Sequence, residues 1–331
     1  MVEVSAGPKE LTQPPKNVKE AIDWLASIEG YGVSSWSSWE KSEELEKALE
    51  KLNGFDTTAF RNHEFGGVTL SEIIRIFARG LGSGFLGYDG MNRGEFTVNG
   101  LMRKDGEYKS AYHDRNWEQD EHIYAKTFLF LVCLVFYIIT FLYWMCKDNG
   151  RWANGTFTVS NAPGKFFEAM GYDQSQLDQQ KNGDTIADRL TDTFNGFSEL
   201  QAAYGSGGSS SYSTFIEKLE EDGPMKALSF PLTNCKRFCY EYLKSKQNGT
   251  EITKAIDSIK EELKSISTKN DTSSTNNFSA LQQKITNLLE KIKTFNPTTG
   301  SSEPGSDGLQ KAGSSGPGGA KTLVNGLLRI G

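Results

Sequence analysis

Apolar residues recur at helical spacing near the start of the chain. Five of them follow Asn17 at intervals of three and four residues: Val18, Ala21, Ile22, Leu25 and Ile28. This spacing places the apolar side chains on one face of a helix, and Asn17 can cap the first turn. A second set repeats the spacing: Leu45, Ala48, Leu49 and Leu52. We therefore predict two amphipathic helices, which could form a helical hairpin.

Glycines interrupt the pattern after a third, shorter helix. Thr69 and Glu72 have the spacing of a capping box, which predicts that a helix opens there. Six glycines between Gly80 and Gly94 break every regular pattern, and we predict a loop from Gly80 to about residue 121. They are not expected to bind phosphate, because no predicted strand precedes them and no P-loop Lys-Ser or Lys-Thr follows.

Residues 127–146 form the longest apolar block, without a single charge between Lys126 and Lys147. As a helix, the block would span about 30 Å, the thickness of a bilayer's hydrocarbon core. Tyr143 and Trp144 lie at one end, so the membrane-interface candidates are Lys126, Tyr143, Trp144 and Lys147. The alternative is a central helix buried by its neighbours, because both environments demand an apolar surface. Basic residues flank both ends, so no topology is predicted.

Two helices with a heptad pattern follow in the C-terminal third. The first carries Ile252, Ile256, Ile259, Leu263 and Ile266, and the second carries Phe278, Leu281, Ile285, Leu288, Ile292 and Phe295. The connector between them is rich in Ser, Thr and Asn. This polar connector favours an antiparallel helical hairpin over residues 251–266 and 278–295.

Tracts of Gly, Ser and Pro divide the chain into parts. We expect a mainly α protein, in which a helical bundle surrounds one long apolar helix, transmembrane or buried, and an antiparallel hairpin and disordered linkers follow. The predicted parts are a flexible N-terminus (1–16), a helical domain containing the apolar helix (17–204), a Gly/Ser linker (205–212), a helical region containing the hairpin (213–296), a disordered linker (297–320) and the start of a helix (321–331). Because that last helix stops at the final residue, we expect a truncated member of a longer kind of chain.

Composition argues against nucleic acid as a partner and against catalysis. The net charge is −6, and the 36 basic residues are scattered instead of forming a stripe that could follow phosphates. The three histidines, His63, His113 and His122, do not have metal-ligand spacing. Gly-x-Ser-x-Gly, His-Glu-x-x-His and Walker motifs are absent. We predict a non-enzymatic protein with no cofactor and no small-molecule substrate.

Four cysteines are candidates for disulfides or for packing. Cys235 and Cys239 lie four residues apart on a predicted helix, so they share a face that could hold a metal or pair with other cysteines. No Cys or His lies close to them in sequence, which favours buried thiols or disulfides to distant cysteines. Cys133 and Cys146 lie in the apolar block and are predicted to be small core residues.

Four asparagines open triplets of the N-glycosylation type. Such triplets are also frequent by chance in a chain rich in Ser, Thr and Asn, so they indicate exposed loops more directly than they indicate sugars. The four candidate acceptors are Asn154, Asn248, Asn270 and Asn277.

Three motifs, in one order, resemble a known family. They are Leu11-Thr-Gln-Pro-Pro-Lys-Asn-Val-Lys-Glu-Ala-Ile-Asp-Trp-Leu25, then Leu142-Tyr-Trp-Met-Cys-Lys147 with Arg151-Trp152, then Phe166-Phe-Glu-Ala-Met-Gly-Tyr172 with Phe197-Ser-Glu-Leu200. The region from about residue 10 to 245 resembles the variant erythrocyte surface antigens of tick-borne red-cell parasites. In that family a Pro-Pro turn leads into a Leu-Lys-Glu-Ala-Ile-Asp-Trp helix.

The resemblance implies a non-catalytic membrane protein on the surface of the infected red cell. Its implied roles are antigenic variation and adhesion to host cells, and its implied partners are a host-cell receptor and a related alpha or beta subunit. Members of the family are larger and carry their membrane span near the carboxyl end, whereas the apolar block here is internal. Both interpretations of residues 127–146 therefore stay open. The alternative function is that of a membrane-anchored coiled-coil structural or adaptor protein.

Overall fold

The computed structural model describes residues 9–28, 35–58, 69–86, 88–89, 95–96, 110–112, 121–147, 162–173, 177, 186, 235–268 and 275–295. Within them the chain is mainly helical, as predicted. The helices are α1 (Val18–Ser27), α2 (Ser35–Glu50), α3 (Leu70–Arg79), α4 (Glu121–Lys147), α5 (Ala162–Ala169), α6 (235–244), α7 (Gly249–Thr268) and α8 (Thr275–Thr294). Two short antiparallel strands, β1 (Tyr88–Asp89) and β2 (Glu95–Phe96), pair Tyr88 with Phe96 and Asp89 with Glu95.

Local side-chain caps start α1 and α3 where the sequence predicts. Asn17 is extended, and its Oδ1 accepts a hydrogen bond from the backbone N–H of Glu20 at 2.9 Å. At α3 the capping box forms in both directions: the Thr69 N–H donates to Glu72 Oε2 at 2.7 Å, and the Glu72 N–H donates to Thr69 Oγ1 at 3.3 Å. Both caps satisfy backbone donors that the first helical turn leaves free.

The glycine-rich segment after α3 is helical at its start, which corrects the predicted loop. Residues Gly80–Leu86 form a π-helix that continues α3 and packs against α1. Leu81, Phe85 and Leu86 are fully buried there. Gly82 lies close to α1, where a Cβ would meet the Ala26 Cβ at 3.7 Å. Burial of these three apolar side chains therefore outweighs the low helical propensity of the glycines.

The long apolar helix α4 lies at the centre of the fold. It packs against α1, α2, α7 and α8, and every residue from Thr127 to Val135 is buried. It is long and apolar enough to cross a membrane, yet 78% of its most apolar stretch is covered by the rest of the protein. A helix that is apolar all round suits such a position, because neighbours cover most of its surface.

The predicted C-terminal hairpin is present as α7 and α8. Ion pairs show its direction, because Glu251 pairs with Lys291 and Glu262 pairs with Lys284, so partners descend along α8 as positions rise along α7. The apolar positions of both helices are buried against each other, α4 and α5. Aromatic contacts join the hairpin to the bundle: the rings of Phe130 and Phe295 are 5.4 Å apart, and those of Phe166 and Phe278 are 5.5 Å apart.

Other predicted segments fall largely outside the described residues. These are the linkers 205–212 and 297–320, the segment 321–331 and residues 1–8. Part of the N-terminus that the sequence analysis treats as flexible, residues 9–16, is described and packs on α1, where Leu11 is buried.

Candidate functional site

The first motif of the resemblance, Leu11 to Leu25, folds as a non-helical strap, which turns at residues 10–13, followed by α1. The strap runs beside residues 110–112: the Lys9 N–H donates to the Ala111 carbonyl at 2.7 Å, and the Tyr112 hydroxyl donates to the Gln13 carbonyl at 3.0 Å. The Trp24 indole N–H donates to the Leu11 carbonyl at 2.9 Å, and both side chains are buried. The tryptophan of the motif therefore ties α1 to its own strap.

A buried carboxylate lies beneath the strap. Asp23 has no exposed surface, and its Oδ2 accepts hydrogen bonds from Lys19 Nζ at 2.7 Å and from the Ala111 N–H at 2.9 Å. A buried charge is costly unless it is paired and hydrogen-bonded, and Asp23 has both kinds of partner. Burial, then the charges of Glu20 and Asp23, raises the pKa of Tyr112 well above its ordinary value. The phenol therefore stays protonated and donates its hydrogen bond throughout the neutral range.

Glu20 fastens the outer side of the strap. Its Oε2 accepts from the Lys16 N–H at 2.6 Å and forms an ion pair with Lys9 Nζ. The ammonium of Lys9 also lies 5.9 Å from the centre of the Tyr112 ring. We call the residues that join the strap, α1 and residues 110–112 the clasp; its side chains are Lys9, Leu11, Glu20, Asp23, Trp24 and Tyr112.

The third motif joins the clasp from the other side of α1. The Lys19 N–H donates to the Met170 carbonyl at 2.8 Å, so the end of α5 abuts the first turn of α1. Gly171 has φ +95°, and a Cβ there would lie 2.5 Å from the Asn17 side chain, so glycine is required. Phe166 contacts Phe141 of α4, with ring centres 5.4 Å apart. The motif thus packs onto both α1 and the central helix.

Three of the four cysteines meet between α4 and α6. Cys133, Cys235 and Cys239 are buried free thiols, and we call them the thiol cluster. The Cys133 Sγ lies 3.7 Å from the Lys236 carbonyl oxygen. Burial raises the pKa of Cys133 to about 12 and raises the pKa of Cys239 as well. Both are protonated at neutral pH.

A cationic and aromatic cluster lies near Cys133. Lys236 Nζ lies 4.7 Å from the centre of the Tyr137 ring and 5.2 Å from that of Phe136, and it donates to the Tyr137 hydroxyl at 3.2 Å. Burial is the main cause that lowers the pKa of Lys236. On α6 the Tyr240 hydroxyl donates to Asp257 at 2.7 Å, which ties α6 to α7. These contacts stabilise helix packing.

The other predicted site residues are dispersed. Asn248 is exposed in the turn between α6 and α7 with φ 65°, and Lys126 is half-buried on α4. The side chains of the remaining candidates lie outside the description: Tyr143, Trp144, Cys146, Lys147, Asn154, Asn270 and Asn277. Among the residues described, no group of three His, Cys, Asp or Glu side chains is arranged to hold a metal ion.

Comparison with known proteins identifies no relative. The chain matches no protein-family model, no curated protein and no solved structure.

Sequence reasoning misses the polar partners of the clasp and of the thiol cluster. Lys19 and Asp23 have the i, i+4 spacing of a helical ion pair, which is a signal that they interact. Nothing local indicates that Ala111 bonds to Asp23, because 88 residues separate them. The same holds for Lys236 and Tyr137, which are 99 residues apart.

Proposed function

We propose that the chain is a non-enzymatic surface antigen of infected red cells, of the variant erythrocyte surface antigen type, with α4 as the hydrophobic axis of a folded helical domain. The observation that carries the proposal is the packing together of the resembling motifs. Trp24 and Asp23 from the first motif, Leu142 from the second and Phe166 from the third are all buried within one unit. Residues that make the resemblance therefore maintain the fold.

An antigen can vary when its buried residues maintain the fold and its exposed residues are free to change. Surface substitutions away from packed or bonded features usually change stability by no more than about 0.5 kcal/mol, so an exposed surface can change while the fold persists. Buried positions such as Asp23 and Trp24 tolerate little change. A chain that keeps its buried motifs and alters its exposed positions would present new epitopes on one architecture.

The outer surface of the α7–α8 hairpin is the partner-binding face in this proposal. Its exposed positions carry both signs of charge and several amides: Lys254, Lys260, Glu261, Lys264, Gln282, Gln283, Asn287 and Glu290. Polar and charged residues of this kind can be exchanged without disturbing the buried heptad positions. A host-cell receptor or a related subunit would bind here, in keeping with the roles that the resemblance implies.

Membrane attachment in this proposal does not depend on α4 crossing the bilayer. A spanning helix would expose to lipid the side chains that α4 packs against α1, α2, α7 and α8. Moving α4 into a bilayer would also uncover the apolar faces of those four helices to water, which is unfavourable by about 25 cal/mol per Å². Association with a membrane-bound related subunit would hold the folded domain at the surface.

Surface proteolysis of intact infected cells tests the proposal. Antibodies against the α7–α8 hairpin should bind intact cells, and external trypsin should remove both that binding and the full-length band on a blot. Cells permeabilised before trypsin serve as the control for total protein. Protection of the chain in intact cells, with digestion only after permeabilisation, would refute surface display and favour the internal coiled-coil adaptor.

A further inference from the structure

The thiol cluster has the geometry of a link between two helices. Cys235 and Cys239 are four residues apart on α6, so they project from one face of it. Cys133 comes from α4 and approaches the backbone of α6, with its Sγ 3.7 Å from the Lys236 carbonyl. All three side chains have zero exposed surface.

The three thiols are close enough to influence one another electrostatically. After burial, the neighbouring Cys235 thiol contributes most to raising the pKa of Cys239, and Cys133 adds to it. Cys235 in turn raises the pKa of Cys133, against an opposite effect of the Lys236 ammonium. The cluster therefore combines one thiol from α4 with two from α6.

Geometry decides which pair of these cysteines can be oxidised. Cβ atoms four residues apart on a helix are about 5–6 Å apart, whereas a disulfide needs a Cβ separation of about 3.5–4.5 Å. Cys235 and Cys239 therefore cannot join without distorting α6. Cys133 comes from a separate helix and lies against the backbone of α6, so a bond from it does not require α6 itself to distort.

We propose that Cys133 and one thiol of α6 form a disulfide when the chain folds in the presence of a disulfide oxidant, and that this bond fastens the central helix to α6. The remaining α6 thiol stays next to the bond. The inference concerns the chain itself and does not depend on the proposed surface display.

The reaction is ordinary thiol–disulfide exchange with glutathione disulfide as the oxidant. One cysteine thiolate attacks a sulfur of glutathione disulfide, which forms a mixed disulfide and releases one glutathione. The second cysteine thiolate attacks the protein sulfur of the mixed disulfide and releases the other glutathione. The protein loses two hydrogens and two electrons, and glutathione disulfide gains them. Because the folded thiols are buried and protonated, exchange takes place during folding.

Refolding the full chain carrying Cys146→Ser is the test, since Cys146 would otherwise share a tryptic peptide with Cys133. The reduced chain is refolded from urea with a mixture of glutathione and glutathione disulfide, then digested with trypsin and mapped without reduction. Cleavage after Lys236 and Arg237 puts Cys235 and Cys239 in separate peptides. We expect a cross-link from the Cys133 peptide to one of these two.

The bond closes a loop of about 100 residues, so the Tm should rise by about 5–10 °C and fall again with dithiothreitol.

Two variants make the outcome decisive. Adding Cys133→Ser should abolish both the cross-link and the rise in Tm, while Cys235→Ser should leave a bond from Cys133 to Cys239. The proposal is overturned if the three thiols stay free after oxidative refolding, or if the mapped bond joins Cys235 to Cys239. It is equally overturned if the bond forms without any change in Tm, because the two helices would then not be fastened.

Discussion

At the scale of single residues, the clasp depends on polar groups that have no access to water. The Asp23 carboxylate accepts hydrogen bonds from Lys19 Nζ within α1 and from the Ala111 N–H beside the strap. The Trp24 indole N–H donates a hydrogen bond to the Leu11 carbonyl. Because these groups are buried, removing one partner takes a hydrogen bond from a group that water cannot reach. The cost of a substitution is therefore set by the group left behind.

Asp23→Asn should destabilise the protein by about 3 kcal/mol. The amide keeps a bond to the Ala111 N–H but removes the negative charge that pairs with the buried Lys19 ammonium. Urea unfolding, followed by circular dichroism, measures the change. Glu290→Gln is the matched control, because Glu290 pairs with Lys293 at a site where the two side chains are 57% and 50% exposed. That change should cost less than about 1 kcal/mol, and equal losses for the two variants would contradict the role given to Asp23.

Gly249→Ala should lower the free energy of unfolding by at least about 3 kcal/mol, because the added methyl group has no room. A Cβ at residue 249 would lie 1.6 Å from the Leu243 carbonyl oxygen, so the turn between α6 and α7 would have to open. Gly82→Ala is the control, since its Cβ would make ordinary contact with Ala26. Thermal unfolding of the two variants should show a large fall in Tm for the first and little change for the second. A small effect at residue 249 would show that the turn is built differently.

Local chemistry predicts some of these residues and not others. Asn17, Thr69 and Glu72 are foreseen, because a cap bonds to backbone only two or three residues away. The sequence does not predict that Asp23 is buried, since a charged residue on an amphipathic helix is expected to face water. Its partner Ala111 comes from a distant segment that carries no pattern of its own.

At the scale of elements, the other helices are arranged around α4. Its Phe130 ring meets Phe295 at the end of the hairpin, and its Phe141 ring meets Phe166 of α5. α2 packs along it as well. Each neighbour therefore buries its own apolar stripe against this one helix.

Phe130→Ala should destabilise the fold by about 3–5 kcal/mol, because a fully buried ring is replaced by a cavity between α4 and α8. Phe136→Ala on the same helix is the control, since Phe136 is only partly buried. Phe136→Ala should lower the free energy of unfolding by less than half as much as Phe130→Ala in the same urea titration. If α4 faced lipid in the native protein, both substitutions would have similar and small effects, and that result would contradict the central position of the helix.

Element type is predictable here where the hydrophobic period is strong. The heptad positions from Ile252 to Phe295 predict the hairpin, and the uncharged block predicts α4. The helix α4 itself begins at Glu121, six residues before that block. The π-helix at Gly80–Leu86 is not foreseen, because six glycines in and after it signal a loop and only tertiary burial makes the segment helical. Nor does periodicity show which neighbours cover α4.

At the scale of the whole molecule, described residues from three distant motifs and a C-terminal hairpin share one core around α4. The same apolar surface would satisfy a bilayer, so composition alone supports both environments. The described packing satisfies the apolar surface within the protein, and the proposed antigen is accordingly a folded domain whose exposed hairpin faces its partners.

Carbonate extraction of membranes from cells that express the full chain by itself, with no related subunit, tests this account most directly. Alkaline carbonate strips proteins held by other proteins and leaves those whose helices cross the bilayer. A spanning protein expressed in the same cells, retained in the pellet, is the control. We expect the chain in the supernatant, and the soluble fraction should give the slow hydrogen exchange of a buried helix across residues 127–142. Retention of the chain in the carbonate pellet, together with loss of that retention when residues 127–146 are deleted, would contradict the account.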